Sequence, residues 1–281
     1  MKIIDLGQVS EQVSQLCRQA NWDLGDDVLD ALRHALEKEE SPTGRRILEQ
    51  ILDNADIARG KQAPLCQDTG FAVFFVELGR DVAFESEGTL QEAIDRGVAD
   101  GYQSGFLRKS IVRDPLNRIN TGDNTPAVVH ITQVPGSELK ITFTAKGGGS
   151  ENMSRQAMLK PADGVQGVKD FVVDAVRRAG ANPCPPVIVG VGIGGTFEKS
   201  AWLAKKALLR KLGSRHPDKY YAELEEELLE LVNRTGVGPQ GLGGTTTALD
   251  VLVEVYPCHI ASLPVALNMQ CHSARHMSVT L

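Results

Sequence analysis

The chain has 281 residues, 42% of them hydrophobic and 23% charged, with a formal net charge of −6. These values describe an ordinary soluble globular protein with room for a sizeable core, and the acidic balance argues against a nucleic-acid partner. Met1 to Gln19 mixes Asp5, Gln8, Glu11 and Arg18 among apolar residues, unlike a secretory signal, and no apolar run approaches the roughly 18 residues of a membrane span. A cytoplasmic protein with no membrane contact is expected.

Taken in order, residues 1–60 read as helical. Val28, Leu29, Leu32, Ala35 and Leu36 recur at helical spacing, and Ser41-Pro42 is a helix start with a hydroxyl N-cap and Pro at the first position. Ala63-Pro-Leu-Cys-Gln-Asp-Thr-Gly70 then sets a thiol, an amide, a carboxylate and a hydroxyl side by side between a helix-stopping Pro and a turn-permitting Gly. A core would not choose that run. The aromatic and β-branched stretch from Phe71 to Gly79 predicts a buried strand, and a helix is expected from Thr89 to Gly101.

A polar loop from Leu107 to Pro126 leads to Ala127–Gln133 and Leu139–Ala145, which flank Pro135-Gly136 and read as a hairpin. Lys146-Gly-Gly-Gly-Ser150 leaves the second strand with exposed N–H groups suited to an anionic ligand. Helices are expected over 164–179, 197–212 and 217–233, and strands over 187–192 and 246–255, with glycine loops at 190–195 and 236–244. The fold class is α/β: N-terminal helices, then mixed or antiparallel sheets flanked by helices. A single domain over 1–281 is the expected count, with the helical portion of about 1–60 packed onto it.

Gly190-Val-Gly-Ile-Gly-Gly195 satisfies G-x-G-x-x-G between a strand and a helix, the context of a dinucleotide fingerprint. The acidic residue due about 20 positions later is missing, because the region around Arg210 is basic. A nucleotide-binding, dehydrogenase-like module is therefore the weaker reading. The same glycines could cradle a carboxylate or a cluster.

The cysteines carry more. Five of them (17, 66, 184, 258 and 271), widely spaced and without a C-x-x-C pair, speak for reduced thiols instead of a disulfide framework. Cys17 shares a helical face with Val13 and Leu16 and reads as core. Cys66, Cys184 in Asn-Pro-Cys-Pro-Pro, and Cys271 in Gln-Cys-His-Ser lie at element edges where a loop can aim a thiolate. Three thiolates can hold a [4Fe–4S] cluster with one iron left open as a Lewis acid, although separate core cysteines fit the spacing too.

Cys66-Gln-Asp-Thr-Gly70, Leu107-Arg-Lys-Ser110, Asn120-Thr-Gly-Asp-Asn-Thr-Pro126, Lys146-Gly-Gly-Gly-Ser150, Gly192-Ile-Gly-Gly-Thr196 and Pro257-Cys-His259 occur in that order. From about residue 40 to the C-terminus the sequence resembles the iron–sulfur (class I) fumarases, specifically the N-terminal half found as the α subunit of two-subunit fumarase and L-tartrate dehydratase. The resemblance implies a hydro-lyase that reversibly removes water from a 2-hydroxy dicarboxylic acid, malate to fumarate first and tartrate as the alternative.

It implies a [4Fe–4S] cluster on Cys66, Cys184 and Cys271, with Cys258 a rival for the third place. Cys271 is favoured because the family has a His shortly before its third ligand, matched by His259. Gln67, Asp68, Arg108, Gly149 and His259 match substrate-contacting positions, with Asp68 and His259 in the catalytic set. The family's base, a Thr, and further cationic contacts belong to a C-terminal half absent from this sequence. A β subunit is therefore an expected partner, in a hetero-oligomer of the α2β2 kind. A third reading is a non-catalytic assembly subunit whose cysteines are only core.

Overall fold

A computed structural model describes residues 1–85 and 87–281 of the chain. Two compact units emerge, the first made of Met1–Gly25, Asn54–Gly148 and Arg275–Leu281, the second of Asp26–Asp53 and Gly149–Ala274.

In the first unit a short strand β1 (Lys2–Ile4) precedes helix α1 (Leu6–Trp22), which Asp5 caps by accepting from the Gly7 and Gln8 N–H groups. After the second unit's α2 (Asp26–Lys38), α3 (Pro42–Lys61) runs from one unit's segment into the other's. The expected cap is present, with the Gly44 N–H donating to Ser41 Oγ at 3.2 Å. Next come β2 (Phe71–Gly79), β3 (Val82–Phe84), α4 (Leu90–Ser104), β4 (Val128–Val134) and β5 (Leu139–Lys146). A capping box of Thr89 and Glu92 starts α4.

A four-stranded sheet runs in the order β10-β5-β2-β4, its last member being β10 (His276–Thr280); β1 pairs in parallel with β3 in a separate ribbon. The expected hairpin of β4 and β5 is not formed. Instead β2 lies between them, parallel to β4 and antiparallel to β5. The Pro135-Gly136 connection crosses the end of β2, where the Gly79 N–H donates to the Glu138 carbonyl at 2.9 Å. Burial gives the reason: β5 is buried except at Lys140, which suits a central strand, whereas β4 is largely exposed and suits the edge. Phe74 and Phe143 face each other across β2 and β5 with ring centroids 5.3 Å apart, in a core that α1 and α4 complete.

The second unit adds the single-turn α5 (Gly148–Glu151), β6 (Arg155–Leu159), α6 (Gly164–Ala179), β7 (Val187–Gly194), α7 (Phe197–Ala207), α8 (Lys219–Asn233), β8 (Ala248–Tyr256) and β9 (Leu263–Gln270). The sheet order is β6-β9-β7-β8. Valines 189, 191, 251 and 253 pack with α6 and α8 on one face. On the other face α7 approaches so closely that a Cβ on Gly190 or Gly192 would stand 2.1 Å from a helix carbonyl.

That close approach explains the glycine motif without a nucleotide. β7 is parallel to β8 and antiparallel to β9, so this is not a doubly wound sheet, and the dehydrogenase-like alternative is set aside. The α/β architecture of helices and mixed sheets agrees with the sequence reading. β1 interrupts the expected all-helical start, and α7 ends at Ala207, short of 212. Among the described residues no helix is long and apolar enough to cross a membrane.

Candidate active site

In the first unit, three loops are fastened at one place. Gly70 turns with φ 75° at the end of the Cys66 loop, and any Cβ there would strike the Lys146 backbone at 2.7 Å. Asp68, half-buried, accepts from the Gly70 N–H through Oδ1 at 3.1 Å and from the Gly148 N–H through Oδ2 at 2.8 Å. Thr69 donates from its hydroxyl to the Arg108 carbonyl at 3.0 Å. Asn124 bridges two loops, donating to the Gly70 carbonyl at 3.2 Å and accepting from the Ser110 N–H at 2.7 Å.

Tyr102, buried under the loop, donates to the Thr69 carbonyl at 2.8 Å and lies 3.1 Å from that of Gly70. Burial holds its hydroxyl well above the usual phenol range, so it acts as a neutral donor. The Gln67 and Arg108 side chains stay exposed and Cys66 is half-buried beside them.

The second unit gathers three more predicted residues. Cys184 is exposed, with φ 56°, on the loop before β7. Cys271 follows β9, whose last residue Gln270 pairs with Ile188 at the start of β7, so the two thiols flank one end of the sheet. His272 ties them, its Nδ1–H donating to the Cys184 carbonyl at 3.0 Å. Gln240 secures the next residue by donating from its backbone N–H and from Nε2 to the Pro185 carbonyl, at 2.8 and 3.0 Å.

Gly149 belongs to the same end, because a Cβ on it would lie 3.2 Å from the Asn182 carbonyl. Two residues on, Glu151 pairs with Lys205 and accepts from Asn268 Nδ2 at 3.0 Å, which fixes the glycine turn to β9 and α7.

His259 and Cys258 are placed elsewhere. They follow β8, whose last residue Tyr256 pairs with Gly194 at the far end of β7. Eight residues of strand, about 25 Å at 3.3 Å each, separate that end from Cys184 and Cys271. His259 is exposed and its Nδ1 accepts from the Ala261 N–H at 3.1 Å, while the Cys258 thiol donates to the Ser262 carbonyl.

Cys17 is fully buried on α1, and burial pushes its thiol far above the usual range, as expected of a core residue. Cys66, Cys184 and Cys271 instead sit at loop positions with soft sulfur donors, a set that fits an iron–sulfur cluster and none of the hard-cation sites. Among the described residues no three His, Cys, Asp or Glu side chains are gathered for a single metal ion.

Sequence reasoning gave no role to Tyr102, Glu151, Asn268 or His272. Only His272, adjacent to a predicted ligand, offered a signal.

The family model described as Fumarate hydratase (Fumerase) matches residues 10–280. A protein of Methanocaldococcus jannaschii named putative L(+)-tartrate dehydratase subunit alpha is 44% identical over 273 residues, covering 95% of each chain. The Escherichia coli K12 protein named L(+)-tartrate dehydratase subunit alpha is 35% identical over 274 residues, covering 96% of this chain and 89% of its own. The chain belongs to the class I fumarase family. It is accordingly a hydro-lyase.

Proposed function

We propose that the chain, acting over its full length as one α subunit, binds a [4Fe–4S] cluster through Cys66, Cys184 and Cys271. With a β subunit it dehydrates a 2-hydroxy dicarboxylic acid reversibly in the cytoplasm. The observation that carries this is the meeting of Cys184, Cys271 and Gly149 at one end of the second unit's sheet, in a chain of this family. Cys258 is the weaker third ligand, since it lies at the other end. A bound cluster would supply a Lewis acid that weakens the C–O bond of the substrate hydroxyl.

The protein's own groups do the rest. Arg108 binds one substrate carboxylate through its paired N–H groups, the Gly149 N–H holds an oxygen of the other, and Gln67 orients the molecule. Asp68 passes a proton from its carboxyl to the departing hydroxide, which leaves as water. Two backbone N–H groups aim that carboxyl, one on each oxygen, and leave each oxygen a lone pair. A base on the β subunit takes the proton from the neighbouring carbon, and the C–H electron pair becomes the double bond. His259 lies at the other end of β7 from Cys184 and Cys271, and by the family resemblance it is the remaining substrate contact and a member of the catalytic set.

Malate to fumarate is the first reading, in line with the family description, and it would put the enzyme in the tricarboxylic acid cycle. Tartrate is favoured as the second by the names of the relatives. Assays on both substrates, with the chain alone and with its co-expressed β subunit, test the proposal. Activity should require both chains, and full activity from this chain alone would overturn it.

A further inference from the structure

Among the described residues, Arg275 is the bulkiest fully buried side chain, 1% exposed. A guanidinium does not give up its proton, so a full positive charge sits where water cannot solvate it. Nη1 donates to Asn21 Oδ1 at 2.9 Å, and Nε has no partner. The Arg275 carbonyl accepts from the Ala145 N–H at 3.0 Å, just ahead of the glycine run.

The guanidinium and Asp68 address the same small volume. Nη2 lies 3.8 Å from the point where a Cβ on Gly147 would stand, and Asp68 Oδ2 lies 3.1 Å from that point. With no side chain at 147, both groups border the space that a Cβ there would occupy. Arg275 is buried but Asp68 is only half-buried, so solvent screens part of their attraction. Asn21 closes the circuit, because its own carbonyl accepts from the Leu65 N–H at 2.9 Å, immediately before Cys66.

We infer that Arg275 is a positioning residue for Asp68. Its buried charge acts on the carboxylate across Gly147 and reinforces the aim given by the Gly70 and Gly148 N–H groups, while Asn21 fixes the guanidinium to the start of the same loop. This rests on the hydro-lyase reading of Asp68 and extends it to a residue that itself contacts no substrate. A purely structural Arg275 would support the fold and be indifferent to the group at position 68.

The test is a double-mutant cycle in the assembled enzyme with Asp68→Asn, Arg275→Met and both together. Arg275→Met should lower kcat about 100-fold, the scale of a small misplacement of a catalytic group, with KM and iron content unchanged. In the Asp68→Asn background the same change should cost under about 3-fold, because the group it positions is gone. Arg275→Lys should recover part of the loss.

Gly147→Ala, whose methyl would enter the space that both groups border, should reproduce the kcat loss with Arg275 present. It also serves if Arg275→Met does not fold. Multiplicative losses in the cycle, or wild-type kcat in Gly147→Ala, would overturn the inference. Thermal midpoints of the same variants test the coupling without any assay. Non-additive midpoints support it and additive ones sink it, so absence of hydratase activity in the unmodified enzyme would count against the function alone.

Discussion

His272 donates from Nδ1 to the carbonyl of Cys184, so the residue after one proposed ligand holds the backbone of another. Because Cys184 occupies a left-handed conformation on an exposed loop, this bond is a main restraint on where its thiol points. His272→Ala should lower the iron retained after anaerobic reconstitution several-fold while changing stability by only about 1 kcal/mol, the net worth of one exposed hydrogen bond. Iron analysis beside a denaturation curve checks both halves of that statement.

Tyr102 holds up the Cys66 loop from below. Tyr102→Phe removes the donor that the Thr69 and Gly70 carbonyls share and leaves both buried acceptors poorer. A loss of about 1–3 kcal/mol in unfolding free energy is expected, with an increase in hydrogen exchange confined to residues near 66–70. A loss spread evenly over the first unit would mean that the hydroxyl supports packing and not the loop.

Glu39 is a buried carboxylate that gathers the glycine loop before β8, accepting from the N–H groups of Ser41, Thr245 and Thr246. Burial pushes its pKa up, but these hydrogen bonds outweigh that and leave it below the usual 4.5. A depressed folded-state pKa adds stability that is fully present above the unfolded value of 4.5 and disappears as the pH falls through the lower folded value. Glu39→Gln should therefore be less stable than the wild type by about 1–3 kcal/mol at pH 7, and the gap should narrow below pH 4.5. Urea midpoints from pH 3 to 7 would show it, and a gap independent of pH would contradict the carboxylate's role.

Local pattern in the sequence carried β2, α4, α6, the Ser41 cap and the polar run at Cys66, because periodicity and capping are local properties. It misled where pairing is non-local. Two strands joined through Pro-Gly read as a hairpin, and only the exposure of β4 and the burial of β5 reveal that β2 belongs between them. Buried charges are equally hard to see along the chain. Glu39 lies in a Glu-Lys-Glu-Glu run that looks solvated, and Arg275 stands between Ala274 and His276 with nothing to mark it as buried.

Motif order suggested which cysteines share a task, but not which end of a sheet each occupies. The placement of His259 and Cys258 opposite Cys184 and Cys271 follows from the direction of β8 beside β7, a relation that no spacing along the chain encodes.

The central claim is that three particular cysteines hold the cluster, and five single variants test it most directly. Cys66→Ser, Cys184→Ser, Cys271→Ser, Cys258→Ser and Cys17→Ala would each be reconstituted anaerobically and analysed for iron and sulfide. The wild type, Cys258→Ser and Cys17→Ala should retain about four irons per chain, and the other three should lose the cluster. Loss on Cys258→Ser with retention on Cys271→Ser, or four irons in every variant, would contradict the account.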